Sequence, residues 1–82
     1  MDRYSVYILQ SGTTGKYYIG YSAIVHKRLK EHNRGRVRST KAGIPWMLVY
    51  TEKYPSRQAA YRREMQIKRY KGGEAFYKLI EK

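Results

Sequence analysis

Residues 3–21 read RYSVYILQSGTTGKYYIGY, two strand-like runs on either side of a short polar segment. Arg3 to Gln10 and Lys16 to Tyr21 are both rich in β-branched and aromatic residues, which favour strands. The five residues between them, SGTTG, are typical of a turn. Two strand-forming runs separated by a short segment that contains glycine predict a β-hairpin.

Downstream of the hairpin, Ser22 is a suitable N-cap for a helix that continues to about Arg34 and ends at Gly35. Residues 35–45 are basic and poor in apolar side chains, and they contain Gly43 and Pro45. That composition predicts an exposed loop.

Trp46 to Tyr54 is dominated by large apolar and aromatic residues and predicts a third strand. Ser56 should cap a second helix that runs to Lys71 and is closed by Gly72-Gly73, and a last short helix should span Glu74 to about Glu81. The order β-β-α-β-α-α predicts one α+β domain over residues 1–82, with a small three-stranded antiparallel sheet flanked by helices.

The chain is strongly basic, with 18 Lys and Arg against 6 Asp and Glu and a formal net charge of +12. Polyanions are the natural partners of such a protein, so nucleic acid is expected. Attraction to phosphates carries no sequence preference by itself. A membrane partner is not expected, because no stretch combines a basic face with a broad apolar one.

Cysteine is absent, which excludes disulfides, thiolate nucleophiles and cysteine-ligated zinc. The apolar run Val6 to Leu9 is too short for a signal peptide or a membrane span. The sequence therefore predicts a cytoplasmic protein.

One acidic residue stands where the second long helix should be apolar. Ala60, Glu64 and Ile67 follow the i, i+4, i+7 spacing of one helix face. A carboxylate on a face that points into the core costs several kcal/mol unless it is paired or binds a metal ion. It could bind a hard cation such as Mg²⁺, or form an ion pair with a nearby base: Arg62, Arg63 or Lys68.

Arg28 and His32 lie four residues apart on the first helix and should point along one face. A guanidinium fits phosphate oxygens, and imidazole titrates near neutral pH, so the pair suits phosphate chemistry. The alternative is a solvated helix with one histidine that packs against its neighbours.

Tyr7 and Tyr18 would complete a site if the hairpin register places them on one face of the sheet. Nearby positive charge and a metal ion would then lower the pKa of a phenol from its usual value of ~10. Because the chain has 10 tyrosines, core packing is the alternative for each of them.

The order of these features resembles the GIY-YIG nuclease family, and the resemblance covers nearly the whole chain. It rests on residues 5–7 (SVY), residues 18–20 (YIG), Arg28 with His32, and Glu64. The chain is similar to small stand-alone members that are grouped with the nuclease domain of the bacterial excinuclease. Two departures stand out: Ser5 and Val6 replace the glycine and isoleucine of the first motif, and no asparagine follows Glu64.

By this resemblance, Tyr7 is the general base or its close partner, and Tyr18 packs and hydrogen-bonds beside it. His32 orients Tyr7 or shares the proton. Gly20, next to Ile19 in the second motif, lets its strand approach closely.

The resemblance also implies that Arg28 grips a phosphate oxygen and that Glu64 holds a single divalent ion, Mg²⁺ or Mn²⁺. The expected activity is endonucleolytic cleavage of DNA that is structure-selective or weakly sequence-specific, and a partner protein could supply targeting. Secondary phosphate contacts, each of which could equally be a solvated charge, are Lys16, Arg36, Arg38, Lys41 and Lys68.

Two other functions remain open: a nucleic-acid-binding protein that keeps this scaffold but does not cut, and a basic ribosome-associated protein with no metal dependence. The sequence does not predict an oligomeric state.

Overall fold

The computed structural model of the chain describes residues 3–70 and 72–81. It is an α+β fold, as predicted, with one element more than expected. The elements, in chain order, are β1 (Tyr4–Ser11), β2 (Tyr17–Ser22), α1 (Val25–Asn33), the 3₁₀ helix η1 (Arg38–Gly43), β3 (Trp46–Tyr54), α2 (Arg57–Lys68) and α3 (Glu74–Ile80). None of the helices in the described ranges is long and apolar enough to cross a membrane.

The sheet has the strand order β2-β1-β3, and both pairs are antiparallel. The central strand β1 carries the continuous run Val6 to Leu9, in which every residue is fully buried. Such a run is expected of a strand covered on both faces. The predicted hairpin and third strand are therefore confirmed, and the edge strands are β2 and β3.

Side chains of β1 alternate between two cores. Val6 and Ile8 pack with Ala60 and Ile67 of α2 and with Phe76 of α3. Because successive strand residues point to opposite faces, Tyr7 and Leu9 face α1 instead. Helices thus cover both faces of the sheet.

The second core contains Tyr7, Leu9 and Trp46, with Val25 and Leu29 of α1 packed against it. A tyrosine here lies among apolar side chains at the centre of the domain.

The first helix begins later than predicted. Its N-cap is Ile24, whereas Ser22 is the last residue of β2, and the Ser22 hydroxyl accepts a hydrogen bond from the Ile24 amide at 3.1 Å. The serine thus forms a turn before the helix and does not cap it. The predicted end is confirmed, because Gly35 adopts a positive φ of 76° that suits a glycine.

Ser56 caps α2 as predicted, and its hydroxyl accepts a hydrogen bond from the Ala59 amide at 3.2 Å. The helix ends at Lys68, earlier than expected, because the Tyr70 amide bonds to the Ile67 carbonyl three residues back. That spacing tightens the last turn and stops the α-helical pattern. The predicted end, Lys71, lies outside the described residues.

The segment predicted as an exposed loop is instead folded and anchored. Thr40 and Gly43 of η1 are buried. The Trp46 indole donates a hydrogen bond to the Thr40 carbonyl at 2.8 Å, and the Ser11 hydroxyl donates one to the Gly43 carbonyl at 2.6 Å. The prediction was wrong because these tertiary contacts compensate for the few apolar residues of the segment.

Candidate active site

The two hairpin phenols lie on one face of the sheet. The register pairs Tyr7 with Gly20 and Leu9 with Tyr18, so the tyrosines are diagonal neighbours. Their ring centroids are 6.3 Å apart. Tyr7 and Tyr18 therefore share a face of the sheet, which the sequence alone could not establish.

Gly20 makes room for the Tyr7 phenol. A Cβ atom at this position would lie 2.7 Å from Tyr7 Oη and 2.8 Å from Tyr7 Cζ. The phenol therefore lies directly over the backbone of β2.

Gly20→Ala should therefore displace the phenol and lower the free energy of unfolding by about 1–3 kcal/mol, the usual effect of overpacking a well-filled core. Chemical denaturation followed by the fluorescence of Trp46, the single tryptophan, measures this. The matched control is Gly12→Ala, whose new methyl group would come no closer than 3.3 Å to Pro45. Equal stability of the two variants would contradict the close approach.

His32 of α1 meets the Tyr7 phenol. Tyr7 Oη and His32 Nε2 are 3.0 Å apart, in a hydrogen bond that is buried. The ring of Tyr18 lies beside the imidazole, with centroids 4.8 Å apart. On the far side of the imidazole, His32 Nδ1 lies 2.8 Å from Thr40 Oγ1.

Burial controls the protonation of the Tyr7 phenol and the His32 imidazole. It raises the pKa of Tyr7 to about 12, with the Tyr18 phenol acting in the same direction, while the guanidinium of Arg28 lowers it by less. The predicted lowering by positive charge is therefore wrong for the protein alone, because desolvation of the phenolate outweighs Arg28. Burial, followed by the charge of Arg28, lowers the pKa of His32. At neutral pH the phenol is protonated and the imidazole is neutral.

Arg28 stands between this pair and solvent. Its Nη1 atom bonds to Glu31 Oε1 at 3.0 Å, and its side chain is 39% exposed. Together with Lys27 and with residues 22–24 just before α1, Arg28 and Glu31 line an open cleft of about 240 Å³. Solvent or a ligand can thus reach the guanidinium next to the buried phenol.

Glu64 is buried, as its position on the helix face predicted, with 8% of its surface exposed. Its charge makes the smallest contribution to the raised pKa of Tyr7, and its helix α2 packs on the other face of the sheet. Its ion-pair partner in the described part of the chain is Lys68, with Nζ at 3.5 Å from Oε2. Arg63 pairs with Glu52 instead, at 2.8 Å.

The donor set near Glu64 fits a hard cation that keeps most of its water. Residues 3–70 and 72–81 contain no cluster of three or more His, Asp or Glu side chains. In the same residues, every fully buried side-chain polar atom has a hydrogen-bond partner. The Glu64 oxygens accept no hydrogen bond from these residues, so they are not fully buried and water can reach them. One carboxylate with open positions suits Mg²⁺, which typically binds through one or two carboxylates.

The five predicted phosphate contacts are all exposed. Lys68 touches the site through Glu64, and Lys16 borders a cleft of about 240 Å³ that Tyr18 and Thr40 also line. The others lie on η1 or just before it: Arg36, Arg38 and Lys41.

Thr40 is the residue of this cluster that the sequence did not indicate. It lies eight positions after His32, beyond the glycine that ends α1 and inside a segment that looked exposed. A hydroxyl residue shortly after a helix that ends in glycine is the one available signal, and it is weak because serine and threonine are common in loops.

Comparisons with known proteins identify the family of the chain. The family model for the GIY-YIG catalytic domain matches residues 3–75. UPF0213 proteins of Staphylococcus aureus strains Mu3 and Mu50 are 41% identical over 71 residues, which is 85% of this chain and 85% of each relative. The solution NMR structure of the UPF0213 protein BH0048 from Bacillus halodurans is 32% identical, has a TM-score of 0.50 and covers 89% of both chains. The chain thus belongs to the GIY-YIG family, a family of nucleases.

Proposed function

We propose that this protein is an endonuclease that depends on a divalent metal ion and hydrolyses phosphodiester bonds in DNA. The observation that carries the proposal is the buried hydrogen bond of 3.0 Å between Tyr7 and His32. The Arg28 guanidinium, which interacts with Tyr7, is partly exposed, and Glu64 is the one buried carboxylate among the described residues. These are the groups that phosphodiester hydrolysis requires: a base, a cation for the phosphoryl oxygens and a metal ligand.

The acid–base part of the reaction falls to Tyr7 and His32. A neutral phenol is a weak base, but it can take a proton from water while its own proton moves to the imidazole. In the proposed step, the water loses one proton to Tyr7 Oη, and Tyr7 passes one proton to His32 Nε2. The hydroxide forms a bond to phosphorus as the bond from phosphorus to the leaving oxygen breaks.

Arg28 would neutralise the charge on the phosphoryl oxygens. Glu31 occupies one of its terminal nitrogens, and the fork of the guanidinium leaves further N–H groups for a phosphate. Because the cleft beside Arg28 is open, a DNA backbone can approach the guanidinium without a change in fold. The scissile phosphate would then lie within reach of Tyr7.

Glu64 would hold the divalent ion, Mg²⁺ or Mn²⁺. When bound there, the ion would neutralise negative charge on the leaving oxygen and on the phosphate. Lys68 competes for the same carboxylate and would turn to the phosphate once the ion binds. Nucleases of the GIY-YIG family generally depend on divalent metals, which supports this assignment.

DNA is the preferred substrate, and recognition would depend on its structure more than on its sequence. The net charge of +12 favours phosphate contacts, which carry no sequence information. In this proposal residues 1–82 form the nuclease domain, and basic side chains around the site hold the backbone: Lys16, Arg36, Arg38, Lys41 and Lys68.

The decisive experiment is a cleavage assay on linear, nicked, flapped and branched DNA and on single-stranded RNA, with Mg²⁺, Mn²⁺ or EDTA. We expect cleavage of at least one DNA substrate with metal and none with EDTA. Binding should be measured in parallel at several salt concentrations. Tight binding without cleavage of any substrate would reject the nuclease and favour a nucleic-acid-binding protein on the same scaffold.

A further inference from the structure

Thr40 forms two hydrogen bonds that bear on which nitrogen of His32 carries the proton. Thr40 Oγ1 lies 3.2 Å from the carbonyl oxygen of Val37 and 2.8 Å from His32 Nδ1. A carbonyl oxygen only accepts hydrogen bonds, and a hydroxyl has a single hydrogen to donate. Donation from the Thr40 hydroxyl to the Val37 carbonyl leaves Thr40 Oγ1 to accept a hydrogen bond from His32 Nδ1.

The rest of the chain of hydrogen bonds follows from this step. If Nδ1 carries the proton of the neutral imidazole, Nε2 has a free lone pair. Tyr7 must then donate its hydrogen to Nε2 over the observed 3.0 Å. The direction of every bond from Tyr7 to Val37 is thereby defined.

We infer that Thr40 is a positioning residue, whose hydroxyl holds His32 in the Nδ1–H tautomer and so keeps Nε2 free to receive the proton of Tyr7. The inference rests on the proposed function, since it gives Thr40 a part in the same reaction. Without Thr40, the neutral imidazole could carry its proton on Nε2. Tyr7 would then have no acceptor for its own hydrogen.

The surroundings of Thr40 are built to hold the hydroxyl in place. Thr40 has 3% of its surface exposed, and His32 has none. The Thr40 carbonyl accepts the Trp46 indole N–H, and the side chain of Asn33 in turn bonds both backbone groups of Trp46, at 2.6 Å and 3.0 Å. The Thr40 backbone is thus tied to β3 and, through Asn33, to α1. A hydroxyl so constrained has little freedom to change its partners.

The test combines a direct view of the tautomer with kinetics. The chain has two histidines, and His26 is exposed, so a His26→Asn background leaves His32 as the single imidazole. In that background, two-bond ¹H–¹⁵N NMR correlations report which ring nitrogen is protonated. We expect the Nδ1–H form with Thr40 present, and a mixture or the Nε2–H form in Thr40→Val.

Cleavage by Thr40→Val should show kcat lowered by about 10- to 100-fold with KM unchanged, the usual scale for removing a partner that orients a reacting group. Thr40→Ser restores the hydroxyl and should recover both kcat and the tautomer. A loss of packing alone would not be corrected by serine, which lacks the same methyl group.

The possible failures are distinguishable. If His32 keeps the Nδ1–H tautomer in a folded Thr40→Val protein, or if Thr40→Ser behaves like Thr40→Val, the inference about Thr40 is overturned. If the wild-type protein cuts no substrate while the tautomer responds as expected, the proposed nuclease function fails and the hydrogen-bond assignment stands.

Discussion

Tyr7→Phe should lower the rate of DNA cleavage by about 100- to 10,000-fold, the usual contribution of a general base. The substitution removes one oxygen atom and keeps the ring that packs with Leu9 and Trp46. It thereby breaks the path by which a proton from water would reach His32 in the proposed reaction. DNA affinity should stay within a few-fold of wild type, because the buried phenol is not a phosphate contact.

The substitution also has a structural consequence that must be measured separately. It leaves the buried Nε2 atom of His32 without a donor, which should lower the free energy of unfolding by about 1–3 kcal/mol. Cleavage should therefore be assayed well below the unfolding temperature of the variant. Tyr61→Phe is the matched control, because it deletes a hydroxyl from a side chain that is 50% exposed. If the activity of Tyr7→Phe is within tenfold of the activity of this control, Tyr7 is not the general base.

Local patterns were sufficient to predict most of the fold. The third strand was predicted at its observed bounds, Trp46–Tyr54, because a dense apolar and aromatic run meets a proline. The N-cap at Ser56 was also correct, since a serine side chain can satisfy a free amide in the first turn. Ser22 offered the same local signal, but the sheet continues through it. Pairing with β1 is a tertiary effect that the local sequence does not contain.

The candidate site, like the fold, could be predicted from the sequence only in part. Helical spacing predicted the burial of Glu64, because a residue between Ala60 and Ile67 on one face has to follow them into the core. No pattern predicted Thr40, whose burial depends on contacts with Trp46 that form only in the folded chain. The direction of the Tyr7 pKa shift also could not be predicted from the sequence. It is the balance between burial and the charge of Arg28, and the depth of burial is set by the whole fold.

Glu64→Gln should abolish binding of the divalent ion and reduce cleavage by at least about 100-fold. The carboxylate is the one buried acidic group in the described ranges, and an amide of the same shape is a far weaker ligand for a hard cation. Several kcal/mol of charge stabilisation in the transition state corresponds to a loss of this size. Calorimetry with Mn²⁺ and the protein without DNA measures the binding independently of activity.

Stability should change little, because the Lys68 partner is 48% exposed and a pair of this kind contributes at most about 1 kcal/mol. Glu74→Gln is the matched control: it removes the same charge from a carboxylate that is 82% exposed and forms a similar pair with Lys78. Both variants raise the net charge equally, so any general gain in DNA affinity should be shared. If Glu64→Gln binds Mn²⁺ as tightly as Glu74→Gln does, the ion is held elsewhere, and the role proposed for Glu64 is wrong.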